Sequence, residues 1–207
     1  MVVAQPWRLG QSLIGSKEMA SDLPVLRTPR LTMRPFLEQD REPFAQINTD
    51  PEVMAHFLAP LTREESDRFM DRITAGFAAH GFGLWALIGG ADGELIGFTG
   101  LFVPGFLAPF TPAVEIGWRL RRSAWGQGLA TEAAHAALNF GFGRAGLEEV
   151  VSFTSSGNIR SQAVMRRLGM THDPTDDFDH PLVPRGHPLA RHVLFRISRE
   201  RWEGRRR

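Results

Sequence analysis

Apolar and polar residues alternate over Leu31-Thr-Met-Arg-Pro-Phe36, the period of a half-buried strand, and Pro35 restricts that strand to a sheet edge or a strand end. Glu38 to Ile47 reads as a short helix that stops near Asn48-Thr-Asp-Pro51. Thr62-Arg-Glu-Glu65 is a capping box, and behind it Phe69, Ile73 and Phe77 recur at helical spacing. Leu84–Ile88 and Glu94–Leu101 are apolar strand runs joined by the turn Gly89-Gly-Ala-Asp-Gly93, which makes them a hairpin. Pro104 to Pro112 is an irregular apolar loop, and Val114–Leu120 is another strand.

The second half continues with a helix from Leu129 to about Gly141, whose inner face carries Leu129, Ala133, Ala136, Ala137 and Phe140. Val150–Thr154 is a β-branched strand. Asn158 then caps a helix that turns Val164, Met165 and Leu168 inward. A loop rich in Pro, Asp and His leads to a last strand, His192–Ser198. No repeat and no internal linker interrupts the pattern, so the chain reads as one α+β domain over residues 24–202. An extension precedes it at 1–23 and a basic tail follows at 203–207.

Composition narrows this picture. A chain of 207 residues with 43% apolar content can build one continuous core. A net charge of +1 gives no global attraction to nucleic acid or an anionic membrane. The basic residues cluster locally, at Arg119–Arg122, Arg166–Arg167 and Arg205–Arg207, the last reading as a solvated end. Cysteine is absent, which excludes disulfides, thiolate metal sites and a cysteine nucleophile, and fits a reducing cytoplasm. No apolar run reaches the roughly 20 residues that span a bilayer, and the first residues lack the pattern of a signal peptide. Seven histidines show none of the helical pairing expected of a metal site, so no metal is expected. Tyrosine is absent too, which removes a common general acid.

The segment from Glu115 to Glu132 is the most informative. It runs strand, basic turn, Gly-x-Gly elbow, long helix. Such an elbow presents unpaired N–H groups at the positive end of a helix, where a phosphate binds. Glu115, at the start of the strand, is a candidate proton acceptor; the plainer reading is a carboxylate paired with a nearby arginine. For Gly126 and Gly128 the plainer reading is a tight turn. Strand alternation puts Glu115, Gly117 and Arg119 on one face and Ile116, Trp118 and Leu120 on the other.

Three stretches, Asn48-Thr-Asp-Pro-Glu-Val-Met54, Trp125-Gly-Gln-Gly-Leu-Ala-Thr-Glu132 and Asn158-Ile-Arg-Ser-Gln-Ala-Val-Met-Arg-Arg-Leu-Gly-Met170, resemble the GCN5-related N-acetyltransferase (GNAT) family. They are most like the branch that acetylates ribosomal-protein N-termini, and the resemblance covers roughly residues 24–200. It implies a mixed central sheet flanked by helices, with two parallel strands, Val114–Leu120 and Val150–Thr154, splaying apart around acetyl-CoA. The pantetheine arm would run along Trp118, Arg119 and Leu120, bonded to main-chain groups of Trp118 and Leu120. The pyrophosphate would lie on Gly126, Gln127, Gly128, Leu129, Ala130 and Thr131, flanked by Trp125, with Asn158 and Met165 also beside the cofactor. The family's usual Gln or Arg before the first glycine is Ser123 here.

The same resemblance implies direct transfer in a ternary complex, with Glu115 taking the amine's proton. The relatives' tyrosine acid corresponds to Met165; Ser161 matches the serine that some relatives use instead. Ser161 also reads simply as an early residue of its helix. A protein or peptide α-amine is the expected acceptor, with a small-molecule amine or an idle acyl-CoA-binding module as alternatives. The Asn48–Leu61 segment and the loop carrying Phe102, Phe106 and Phe110 are the expected cleft walls, or the phenylalanines merely anchor that loop. Asp177 and Asp179 could meet the amine or belong to an ordinary surface loop. Neither nucleic acid nor membrane is an expected partner, and the protein is a monomer or homodimer.

Overall fold

The computed structural model describes residues 23–89 and 93–205. The expected extension (all but Leu23), the tip of the 89–93 turn and the last two arginines lie outside them. Two short strands, β1 (Leu26–Arg27) and β2 (Leu31–Arg34), lead into α1 (Arg41–Thr49) and α2 (Arg63–His80). The hairpin β3 (Leu84–Gly89) and β4 (Glu94–Phe102) is followed by β5 (Glu115–Leu120), α3 (Leu129–Gly143), β6 (Glu149–Ser155) and α4 (Ile159–Arg167). The chain closes with β7 (Thr171–His172), β8 (Phe178–Asp179), β9 (Arg191–Ser198) and α5 (Arg199–Gly204).

The strands form one sheet in the order β1-β2-β3-β4-β5-β6-β9-β7, with β8 also paired to β9. Of its ladders among the described residues, only β5 with β6 is parallel. That ladder is brief: Glu115 stands opposite Val151, and the Val151 N–H donates to the Val114 carbonyl at 2.9 Å. Beyond it the strands part, because β5 stays paired to β4 along its whole length while β6 follows β9. This is the GNAT fold.

The capping box forms as the sequence predicts. Thr62 Oγ1 accepts from the Glu65 N–H at 3.2 Å and Glu65 Oε2 accepts from the Thr62 N–H at 2.8 Å. Gly81, left-handed at φ 70°, ends the helix. The Leu31 strand stops at Arg34, so Pro35 lies just beyond its end. The short strands β1, β7 and β8 carry too few residues for a readable period, and α5 was not foreseen. It runs through Gly204, past the expected domain end at 202, and Arg205 reaches back to the Arg167 carbonyl.

Apolar cores cover both faces of the sheet. On one face α3 and α4 bury Ala133, Ala137, Leu138 and Met165 against Ile116 and Leu120. Fully buried Trp85 anchors this side, edge-on to Phe77 and Phe140 at 5.2 and 5.3 Å; truncating such a ring costs about 3–5 kcal/mol. On the other face α1 and α2 pack Phe44, Ile47, Met70 and Ile73 on Phe98 and Ala86. The site lies between these layers, where β5 and β6 separate.

Candidate active site

A single cleft of about 2230 Å³ runs from the β1–β2 turn and the front of α3 to the loop before β9. Its size exceeds the roughly 300–1,000 Å³ of an ordinary ligand pocket, enough for two substrates side by side. Fourteen residues were expected to carry the chemistry. Glu115, Ser161, Trp118, Arg119, Leu120, Trp125, Gly126, Gln127, Gly128, Leu129, Ala130, Thr131 and Asn158 all line it.

Met165 does not line the cleft. It is fully buried in the core beneath α4, because its helical position points at the sheet. A cofactor contact from Met165 is therefore set aside: a side chain enclosed by other apolar groups has no surface to offer.

The elbow has the geometry of an anion cradle. Gly126 and Gly128 are left-handed, at φ 74° and 76°, a region that L side chains occupy only with strain. No side chain caps the start of α3. The Thr131 hydroxyl is buried there without a partner. Nothing lies within 4 Å of the position a Cβ would take at Gly126. Uncapped helical N–H groups, an orphaned hydroxyl and open space together suit a diphosphate. The Gln127 amide ties back to the Ser123 carbonyl at 2.8 Å, and Arg30 donates to the Gln127 carbonyl at 2.8 Å.

Bonding along β5 alternates. The Arg121 N–H donates to the Ile96 carbonyl, and the register then places the β4 bonds at 119, 117 and 115. Residues 116, 118 and 120 therefore turn their N–H and C=O groups toward β6. Ile116 is met there by the Ser152 hydroxyl at 2.9 Å. The Leu120 carbonyl receives the Trp125 indole N–H at 2.8 Å. The Trp118 main chain faces the gap. Arg119 is placed differently from the expectation: its main chain faces β4, and its side chain enters the α1–α2 layer, not the gap.

Glu115 is buried, 6% exposed, and has no ion pair among the described residues. Desolvation pushes its carboxyl well above the usual range. The arginine-paired alternative is thereby excluded. Across the gap, Asn158 accepts from the Ser161 N–H at 3.2 Å and donates to Thr154 Oγ1 at 2.9 Å. It thus serves as the helix cap while bordering the cleft.

The walls follow from the tertiary packing. His56 Nδ1 lies 3.1 Å from Ser155 Oγ, linking the α1–α2 segment to the end of β6. Phe102 and Phe106 line the cleft, while Phe106 and Phe110 also pack on Phe153 at 5.7 and 5.6 Å, so the loop is both wall and anchor. The His180 and His192 rings meet at a tilt, 4.9 Å apart, beside them; burial first, then His192, lowers His180 to about 4, so it is neutral at pH 7. Asp177 pairs with His172 and Asp179 with Arg191, and neither lines the cleft. His56, Phe57, Arg72 and Arg160 are cleft residues that sequence reasoning did not single out; the Asn48–Leu61 segment, named as a wall, was the signal for two of them.

A family model for the Acetyltransferase (GNAT) domain matches residues 30–171. The chain belongs to that family. This GNAT domain is an acetyltransferase, and enzymes of its kind use acetyl-CoA. It is 35% identical, over 86% of its own length and 78% of the relative's, to an FsC-acetyl coenzyme A-N(2)-transacetylase of Aspergillus fumigatus. A solved acetyltransferase from Agrobacterium tumefaciens matches with a TM-score of 0.68 at 29% identity, covering 91% of this chain and 98% of that one. The ribosomal L7/L12 alpha-N-protein acetyltransferase RimL, solved with coenzyme A, shares the fold at a TM-score of 0.67 and 17% identity, covering 84% and 98%. Among the described residues of this GNAT domain no group of three His, Asp or Glu could hold a metal ion, and no helix is long and apolar enough to cross a membrane.

Proposed function

We propose that this GNAT acetyltransferase holds acetyl-CoA and an α-amine together in the cytoplasm and transfers the acetyl group directly. The observation that carries the reading is Glu115, an unpaired buried carboxyl at the point where β5 and β6 part. Acetyl-CoA supplies the activated acetyl group. The amides of residues 126–131, the Thr131 hydroxyl and the Trp118 main chain are the groups that would hold it.

An attacking amine must be neutral, and an α-amine, with a pKa near 7.7–8.0, loses its proton far more readily than lysine. Burial raises the Glu115 carboxyl above its ordinary value, which makes its carboxylate a stronger base toward that proton. Ser161, which lines the same cleft, would give a proton to the departing thiolate. A thiolate of pKa about 8.5 also leaves without much assistance, so the missing tyrosine modifies the reaction without preventing it.

The first reading of the acceptor is a protein or peptide N-terminus, supported by the three motif stretches that resemble the ribosomal-protein branch. A small-molecule amine is the second, favoured by the relative whose name places transfer on N(2) of FsC. A coenzyme A release screen with peptides of varied N-terminal residue beside small amines tests both. Background release throughout, with acetyl-CoA still bound, would overturn the proposal.

A further inference from the structure

Arg119 sits in the wall of the cleft between three rings, with its guanidinium carbon 4.3 Å from the Phe57 centroid, 5.4 Å from Phe98 and 5.7 Å from Phe69. Its guanidinium donates to a neutral group, the Asn48 amide oxygen, at 2.6 Å. Its Nε is shut off from water and has no partner. Arg72 lies over the same Phe69 ring at 5.5 Å and also lines the cleft. Neither arginine makes an ion pair among the described residues.

The nearby acids are engaged elsewhere. Glu65 closes the capping box, and Glu52 pairs with Arg122 at 2.7 Å. Glu115 shares Arg119's face of β5 but lies four residues away, roughly 13 Å along the strand. Ring faces compensate a desolvated guanidinium only in part, whereas a carboxylate matches its fork of donors. The cleft therefore presents a cation that has no carboxylate counterpart among the described residues.

We propose that Arg119, with Arg72 beside it, is a subsite for a carboxylate of the acceptor, whose amine lies at Glu115. This rests on the reading of Glu115 as the base and narrows it to one acceptor class. The two groups are too far apart for the amine and carboxylate of one α-amino acid. A peptide of about three to four residues spans such a distance, by its C-terminal carboxylate or an acidic side chain.

The test uses the full chain saturated with coenzyme A and the probe N-acetyl-Ala-Ala-Ala, as free acid and as amide, in titration calorimetry. The acid is expected to bind ~10-fold or more tightly than the amide, the scale of a charge-assisted pair. Arg119→Met brings the ratio near one, Arg119→Lys keeps part of it, and coenzyme A affinity is unchanged in both. Arg72→Met, at an exposed position, lowers the ratio by a smaller factor and covers the case of an unstable Arg119→Met. Equal binding of acid and amide, no binding of either at millimolar concentration, or a loss of coenzyme A affinity in Arg119→Met overturns the subsite. Acetyl-CoA turnover with any amine is read separately, so loss of the subsite leaves the acetyltransferase reading standing.

Discussion

Glu132 Oε2 lies 2.6 Å from Arg30 Nη2, joining the β1–β2 turn to the first turn of α3 across about a hundred residues of chain. The Thr28 hydroxyl donates to the other carboxylate oxygen at 2.6 Å, as does the Arg30 N–H at 3.0 Å. The carboxylate also sits at the positive end of the helix, where an anion is favoured. This one side chain fixes the edge of the sheet against the elbow.

Burial opposes the Glu132 charge, but the hydrogen bonds from Thr28 and Arg30 outweigh it and hold the carboxyl below its ordinary value. A depressed folded-state pKa contributes stability above the unfolded pKa near 4.3 and loses it as pH falls through the lower folded value. Glu132→Gln is expected to cost about 1–2 kcal/mol at pH 7. Denaturant unfolding at pH 7 and below pH 4 should show that cost shrinking in acid.

Glu115 has the opposite sign. Its folded pKa is raised by desolvation, so burying its charge destabilises the protein as pH rises through that value. Glu115→Gln should therefore melt higher than the parent at pH 8 while kcat falls by about 10²-fold or more. The rise of kcat/KM with pH should also lose its acid limb. An unchanged kcat removes Glu115 from the reaction.

Thr131 offers a separate test of the elbow. Its hydroxyl is buried and unbonded, so Thr131→Val should leave the melting temperature of the free protein unchanged or slightly raised. Acetyl-CoA affinity should fall several-fold. Undiminished affinity would show that the diphosphate does not reach this hydroxyl.

Met165→Tyr asks whether the family's acid can be restored by sequence alone. Met165 is fully enclosed, so a larger ring overpacks the core and costs about 1–3 kcal/mol. The melting temperature is expected to drop with no gain in kcat. A gain in kcat would mean that α4 rotates to expose this position.

The helices α1 to α4 and the long strands were legible because each buries one face, and burial leaves a period: Phe69, Ile73 and Phe77 mark α2, and Glu115 to Leu120 mark β5. The six-residue α5 is too short to show one. The elbow was legible because Gly126 and Gly128 answer a local backbone requirement. The brief β1, β7 and β8 left no such record, since two residues show no period. Met165 was misread because family position identified it, while its helical phase, which also reads inward in the sequence, decided where it points.

By itself the sequence determined the order of elements, the cradle at the front of α3 and the carboxylate at the head of β5. These depend on neighbours a few residues away, through dihedral preference, capping and alternation. Only the tertiary structure decided that Glu115 has no cationic partner among the described residues, that Arg119 lies among Phe57, Phe69 and Phe98, and that His56 meets Ser155 across the cleft. Those facts depend on groups distant in the chain that the packing of two layers on one sheet brings within a few ångströms, and on the water that packing excludes.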